Sequence, residues 1–436
     1  MRKEFYLGSI VFILSISVAV TLNAGSPKNT NIVEITVDEK SAIYQCGKPA
    51  TFNITVTNNG EKVKDASIEV ILKSDMSKVI KKMIVDLNKQ NPFTIKQTLE
   101  KPGFLSCFVK VKGERKSFTA SAAFEPEKIQ ASTKLPPGFD EFWEKGRKRL
   151  SKIPLDVQLT KLPKASEKQP DSYKISFANI DGTRIYGFLS VPKGKGPFPA
   201  LLTVPGAGPG CNSPALAGWA AKGALSLVMN VHKYEPNADI KEQYKKLNKP
   251  EYYMYHDIKD PEKLYFRQAI LGIDRALNYL ASRPDFDKKH LVVFGSSQGG
   301  GFSLIMSGLN SDKVTATAAN VPALCDHMAF IDKRQPGWPK FYTRLKDDKL
   351  REQILPYFDA VNFARKIENP AIVSVGFIDP VCAPNSVYAA YNVIKGPKRM
   401  FNEITMKHSQ SKEYSAFLNK WLSGQLGLTK AIAPTK

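Results

Sequence analysis

The pentapeptide Gly295-Ser296-Ser297-Gln298-Gly299 lies between the apolar run Leu291-Val292-Val293-Phe294 and Gly300-Gly301-Phe302-Ser303-Leu304-Ile305-Met306. That order predicts a buried strand, a sharp turn and the start of a helix. Such a turn lifts a serine hydroxyl clear of a sheet. Glycines at 295 and 299 leave room for neighbouring backbone. The helix N-terminus brings unpaired N–H groups and a positive dipole end toward a developing oxyanion. Ser297 is therefore the candidate nucleophile. The alternative is an ordinary Gly/Ser turn.

A serine hydroxyl is a weak nucleophile without a base, and the base needs an orienting acid. The chain has five histidines, of which His327 and His408 follow Ser297. In a strand-turn-helix serine hydrolase the chain order is serine, acid, histidine. His408 lies just past a strand-like run and just before a helix expected from Glu413 to Leu422, where a loop-borne base belongs. His327 arrives before any well-placed acid. Asp379 ends the apolar run Ala371-Ile372-Val373-Ser374-Val375-Gly376-Phe377-Ile378, which puts it on the loop after a buried strand. Ser297, Asp379 and His408 thus form a candidate triad. The competing readings are a solvated loop histidine and a helix N-cap aspartate.

The remaining requirement is a pair of donors for the oxyanion. Val204-Pro205-Gly206-Ala207-Gly208-Pro209-Gly210 follows the strand at Ala200 to Val204. The backbone N–H groups of Ala207 and Gln298 are the candidates. A Gly/Pro turn with no chemical role is the alternative. No Gly-Lys-Ser/Thr follows, so the loop is no phosphate cradle. No C-x-x-C or H-E-x-x-H spacing occurs, and neither a metal nor a cofactor is expected.

These residues need a scaffold. From about residue 135 onward, apolar strands at 200–204, 225–231, 291–294 and 371–375 alternate with helices, including Tyr265 to Ser282. That alternation predicts an α/β fold with a mostly parallel sheet covered on both faces. Ile175 to Phe177 and Ile185 to Val191 flank Asp181-Gly182, a hairpin signal. Residues 25–126 differ. Short alternating strands such as Ile32-Val33-Glu34-Ile35-Thr36-Val37 predict an immunoglobulin-like β-sandwich. The sandwich holds no catalytic set and reads as a packing or carbohydrate-binding unit. The expected division is a signal peptide at 1–24, the sandwich at 25–126, the α/β domain at 127–427 and a tail at 428–436. With its own alternating pattern the sandwich should have its own core, so a fragment starting near Ser132 is expected to keep activity on a small ester.

Arg2 and Lys3 precede an apolar stretch from Ile10 to Leu22, and Asn23-Ala24-Gly25 offers a cleavage site. Export follows, to the periplasm or beyond, with an uncleaved N-terminal anchor as the alternative. No later stretch is apolar enough to span a bilayer. Export permits disulfides, and Cys46 and Cys107 fall in one β-rich region where a bridge is one option. With five cysteines at least one thiol stays without an intramolecular partner. The formal charge of +22 is spread along the chain rather than clustered with aromatics, so nucleic acid is not an expected partner. A basic surface attracting an acidic polymer is the sharper reading of that charge; a solvated surface is the simpler one.

From about 135 to 425 the chain resembles the acetyl xylan esterase / cephalosporin C deacetylase family of α/β-hydrolases. Gly295-Ser296-Ser297-Gln298-Gly299-Gly300 is similar to the family's G-x-S-Q-G-G. Asp260-Pro261-Glu262 with Tyr265-Phe266-Arg267, then Asp274-Arg275-Ala276 and Ser282-Arg283-Pro284, resembles its helix before the elbow. Asn320-Val321-Pro322 and Cys325-Asp326 resemble the segment after it. Asp379-Pro380-Val381-Cys382-Ala383-Pro384 resembles its acid loop. The resemblance implies Ser297 as nucleophile, Asp379 as acid and His408 as base. There are departures. The family's Arg-Gly-Gln is replaced by Asn230-Val231-His232-Lys233-Tyr234, Ser409 rather than Glu follows the base, and Ala207 stands where the family carries an oxyanion-loop tyrosine.

The leading expectation is an exported serine esterase that removes O-acetyl groups from oligo- or polysaccharide through an acetyl-enzyme. A hydrolase of another ester, a lactone or a peptide bond is the alternative. A non-catalytic carbohydrate-binding protein on the same scaffold is the third reading, against which the complete triad argues.

Overall fold

The computed structural model describes residues 31–429 apart from 165, 215–216 and 238. The expected signal segment and residues 430–436 of the tail lie outside the described residues.

A nine-stranded sheet forms the centre of the larger unit. Gln158–Lys161, Asp171–Ala178, Arg184–Val191 and Leu225–Met229 run antiparallel to one another in turn. Phe198–Val204, Phe286–Ser296, Ala316–Asn320, Ala371–Gly376 and Lys398–Glu403 continue the sheet in parallel. Along the central strands alternate residues go to opposite faces, as the period of two requires. Leu202, Val293, Ala319 and Val373 join the core beneath Tyr265–Ser282 and Gln298–Leu309. Leu201, Val292, Ala318 and Ile372 join Tyr414, Leu418 and Trp421 of the helix Lys412–Gln425. Both faces are covered, so the strands are apolar throughout. This is the α/β-hydrolase architecture. Among the described residues no helix is long and apolar enough to cross a membrane.

The N-terminal strands build two sheets. One contains Ile32–Val37, Ala50–Asn58, Glu61–Lys62 and Phe93–Gln97; the other contains Ile43–Tyr44, Ser67–Ser74, Lys78–Asp86, Gly103–Val111 and Ser117–Phe124. Phe52, Ile54 and Val56 of the first meet Val70, Leu72, Leu105 and Val109 of the second in a separate core. Cys107 lies in that core and Cys46 is half-buried near Glu125; both are free thiols.

Phe104 turns away from this core and joins the larger one. Its ring meets Phe377 edge-on at 5.1 Å and Tyr388 at 5.8 Å. The junction is also polar. Asn392 Nδ2 donates to the carbonyls of Pro126 and Ile129 at 3.0 and 2.9 Å. Arg334 Nη2 donates to the Gln130 carbonyl and the Ser132 hydroxyl at 2.7 and 2.6 Å. Thr133 N donates to Asp326 Oδ1 at 2.8 Å, and Thr133 Oγ1 to Asp359 Oδ2 at 2.7 Å.

Asp326 and Asp359 form a buried carboxyl pair at this junction. Burial, and then the charge of Asp359, pushes Asp326 up to about 7 despite nearby Arg334; burial pushes Asp359 up to about 6. A carboxyl raised in this way holds in the folded state a proton that the unfolded chain releases. The stability it contributes is complete below its unfolded pKa and is lost as pH rises through the folded one. Asp326→Asn should therefore gain on the wild type between about pH 4 and 7, by at most about 1.4 kcal/mol per pH unit, and level off above. Thermal melts of both proteins at several pH values measure the gap. A gap independent of pH would count against a proton on this pair.

Candidate active site

Ser297 sits between the Phe286–Ser296 strand and the Gln298–Leu309 helix. Its φ of 57° and ψ of −120° lie outside the ordinary left-handed basin, the strained conformation of a nucleophile elbow. The surrounding chain enforces it. A Cβ on Gly299 would lie 1.9 Å from the Val204 carbonyl oxygen, and one on Gly295 would lie 2.4 Å from Gly299 backbone atoms. Ser297 N donates to the Asn320 carbonyl at 2.9 Å, which fixes the elbow to the next strand.

His408 Nε2 lies 2.8 Å from Ser297 Oγ, and His408 Nδ1 lies 2.7 Å from Asp379 Oδ2. The three side chains marked in the sequence thus meet in one hydrogen-bonded chain. Asp379 is fully buried on the loop after Ala371–Gly376. Its other oxygen, Oδ1, accepts from the backbone N–H groups of Val381 and Cys382 at 2.7 and 3.1 Å. That leaves Oδ2 aimed at the imidazole. With a carboxylate on Nδ1–H, Nε2 is left free to accept the serine proton. His408 follows the Lys398–Glu403 strand, and Glu403 Oε1 accepts from the Ser411 N–H and hydroxyl, each at 2.9 Å. Ser411 in turn caps the Lys412–Gln425 helix, so the histidine loop is pinned at its far end. His327 is elsewhere. It is buried against Phe341, at 4.8 Å between ring centroids, with burial pulling its pKa down to about 3.

The two candidate oxyanion donors flank the serine. Gln298 opens the helix, where the first N–H groups lack intrahelical partners. Its buried side chain is held by the Tyr253 hydroxyl, which donates to Gln298 Oε1. Ala207 follows Gly206, where a Cβ would lie 3.8 Å from Ser297 Cβ. The loop therefore passes directly beside the nucleophile.

Four contributors near the site escaped the sequence reading. Tyr253 is one. Cys382 is buried beside Ser297, and burial pushes its thiol well above the usual range. Lys340 Nζ donates to the Pro380 carbonyl at 3.0 Å and so fastens the acid loop. Gln335 Nε2 donates to the same oxygen at 2.9 Å. None carries a local motif; each acts through a partner tens of residues away. Among the described residues, Asp379, Cys382 and His408 also bring ligand-type atoms within 4.8 Å of one another. A cation there would have to break the Asp379–His408 hydrogen bond, so the group reads as part of the proton relay.

The model of the family described as acetyl xylan esterase (AXE1) matches residues 125–425. A curated relative, the acetyl esterase Axe7A of Xylanibacter ruminicola, is 31% identical over 435 residues, covering 98% of this chain and 97% of the relative. Among solved structures, an acetyl xylan esterase from Paenibacillus sp. R4 is similar with a TM-score of 0.60 at 25% identity, over 69% of this chain and 98% of that one. Acetyl xylan esterase 1 from Thermoanaerobacterium sp. JW/SL YS485 shares the fold with a TM-score of 0.60 at 20% identity, over 70% of this chain and 98% of that one.

Proposed function

Because the chain belongs to the acetyl xylan esterase family, we propose that it is an exported serine esterase that removes O-acetyl groups from oligo- or polysaccharide. The observation that carries this reading is the unbroken chain from Ser297 Oγ through His408 to Asp379, at 2.8 and 2.7 Å.

His408 Nε2 takes the Ser297 proton as Oγ attacks the acetyl carbonyl carbon. Asp379 holds the imidazole in the required tautomer and stabilises the imidazolium. The N–H groups of Ala207 and Gln298 receive the oxyanion of the tetrahedral intermediate. Collapse expels the sugar oxygen, which takes the proton from His408, and leaves Ser297 acetylated. Water, deprotonated by His408, then attacks the acetyl group and releases acetate. Arg2, Lys3 and the apolar stretch that follows support export.

The test is acetate release from acetylated xylan together with a panel of p-nitrophenyl acyl esters. A pocket shaped for a methyl group should lose about 1–3 kcal/mol of transition-state binding for each added methylene, so acetate should be the best acyl group. A preference for butyrate or octanoate, with no acetate released from the polysaccharide, would overturn the substrate class.

A further inference from the structure

The segment that departs from the family's Arg-Gly-Gln lies against the candidate oxyanion loop. Asn230 Oδ1 accepts from the Cys211 N–H at 2.7 Å, and Asn230 Nδ2 donates to the Cys211 carbonyl at 2.9 Å. His232 Nε2 lies 2.7 Å from the Gly208 carbonyl oxygen. Tyr234 Oη donates to the Pro209 carbonyl at 2.9 Å. Three alternate residues therefore hold three positions of the loop that contains Ala207.

The tautomer of His232 follows from its partners. A carbonyl oxygen only accepts, so Nε2 carries the hydrogen and donates to Gly208. Nδ1 then accepts from the Tyr265 hydroxyl, 2.9 Å away. His232 is fully buried, and burial pulls its pKa down to about 4, so the ring is neutral at physiological pH. Its ring stacks on Tyr234 at 5.0 Å and meets Tyr253 edge-on at 4.8 Å. Tyr253 is the residue that holds the Gln298 side chain. One aromatic cluster thus touches both sides of the proposed oxyanion hole. Val204 is fixed to Gly295 in the sheet on one side of Ala207, and Gly208, Pro209 and Cys211 are fixed on the other. Gly208 and Gly210 have φ of 143° and 87°, a backbone course that a clamp must hold.

We propose that Asn230, His232 and Tyr234 are positioning residues that aim the Ala207 N–H at the oxyanion, with the His232 Nε2–H to Gly208 carbonyl bond as the central tie. The proposal rests on the oxyanion reading given above. A donor that has drifted costs rate in the transition state more than it costs ground-state binding.

The experiment compares full-length wild type, His232→Leu, His232→Gln, Tyr234→Phe and Ser297→Ala on p-nitrophenyl acetate, with folding checked by circular dichroism. His232→Leu should lower kcat about 10–100-fold with KM within about threefold, less than the ~10²–10³ of deleting a donor outright. His232→Gln offers an amide N–H where Nε2–H was and should recover most of that loss. Tyr234→Phe should lower kcat about fivefold, the worth of one hydrogen bond. A folded His232→Leu with wild-type kcat overturns the proposal, as do equal losses in the Leu and Gln variants. If His232→Leu does not fold, Tyr234→Phe decides, and wild-type kcat there overturns the clamp. An active Ser297→Ala would sink the site reading and the clamp with it. An inactive Ser297→Ala beside an unimpaired His232→Leu would sink the clamp alone.

Discussion

Ser297→Ala should lower kcat on p-nitrophenyl acetate by roughly 10⁴–10⁶-fold while the protein keeps its fold. The substitution removes one oxygen, the atom 2.8 Å from His408 Nε2, and leaves the elbow geometry to the glycines around it. What remains is the oxyanion loop and the histidine, which can still act weakly on a water molecule. The neighbouring Cys382 does not replace the lost nucleophile. The thiolate is the reactive form, and burial holds this thiol neutral. Purified variant and wild type assayed side by side decide the matter. Retention of more than about a tenth of the wild-type rate would require another nucleophile.

How much of this site could be read from the chain depended on how local each signal was. Ser297 announced itself because a strand, two flanking glycines and a helix start all fall within a dozen residues. Asp379 and His408 followed from chain order and from lying just past apolar runs, since the ends of parallel strands are where a sheet presents its loops. The expected hairpin at Asp181-Gly182 is present between Asp171–Ala178 and Arg184–Val191, and the helix Tyr265–Ser282 matches its expected bounds. The strand expected to run to Val231 ends at Met229, and the next residues turn their side chains to the oxyanion loop instead. That clamp was not legible. It depends on where the carbonyls of Gly208 and Pro209 point, and no periodicity in residues 230–234 encodes a partner more than twenty positions earlier. A departure from the family's Arg-Gly-Gln was visible; the compensating contacts were not. The Cys46–Cys107 bridge was an open option for the same reason, because strand pairing rather than spacing decides it.

Phe104→Ala should destabilise the protein by about 3–5 kcal/mol and, in the fraction that stays folded, lower kcat about tenfold. The sequence alone favoured an N-terminal sandwich independent of the chemistry, and the junction points the other way. Gly103–Val111 is buried on both faces over its first five residues, a break from alternation that its sequence Gly-Phe-Leu-Ser-Cys already carries. Leu105 and Cys107 fill the sandwich core, whereas Phe104 fills the hydrolase core against Phe377 and Tyr388. Phe377 is two residues before Asp379, and Tyr388 lies in the Pro384–Asn392 helix just beyond the acid loop. A second path runs in parallel. The Asp75 carbonyl accepts from Gln335 N at 3.2 Å, and the Gln335 side chain holds the Pro380 carbonyl of the acid loop at 2.9 Å. Removing the Phe104 ring leaves a void under the strand that aims the acid, and small misplacements of a relay are expensive in rate. Leu105→Ala is the control, since it should cost comparable stability within the sandwich core and leave kcat near wild type. Thermal melts and kcat on p-nitrophenyl acetate separate the two effects. A folded Phe104→Ala protein with wild-type kcat would restore the view that the sandwich serves stability or substrate capture alone. A fragment beginning at Ser132 should then remain active; on the contacts described here, it should melt early and turn over slowly.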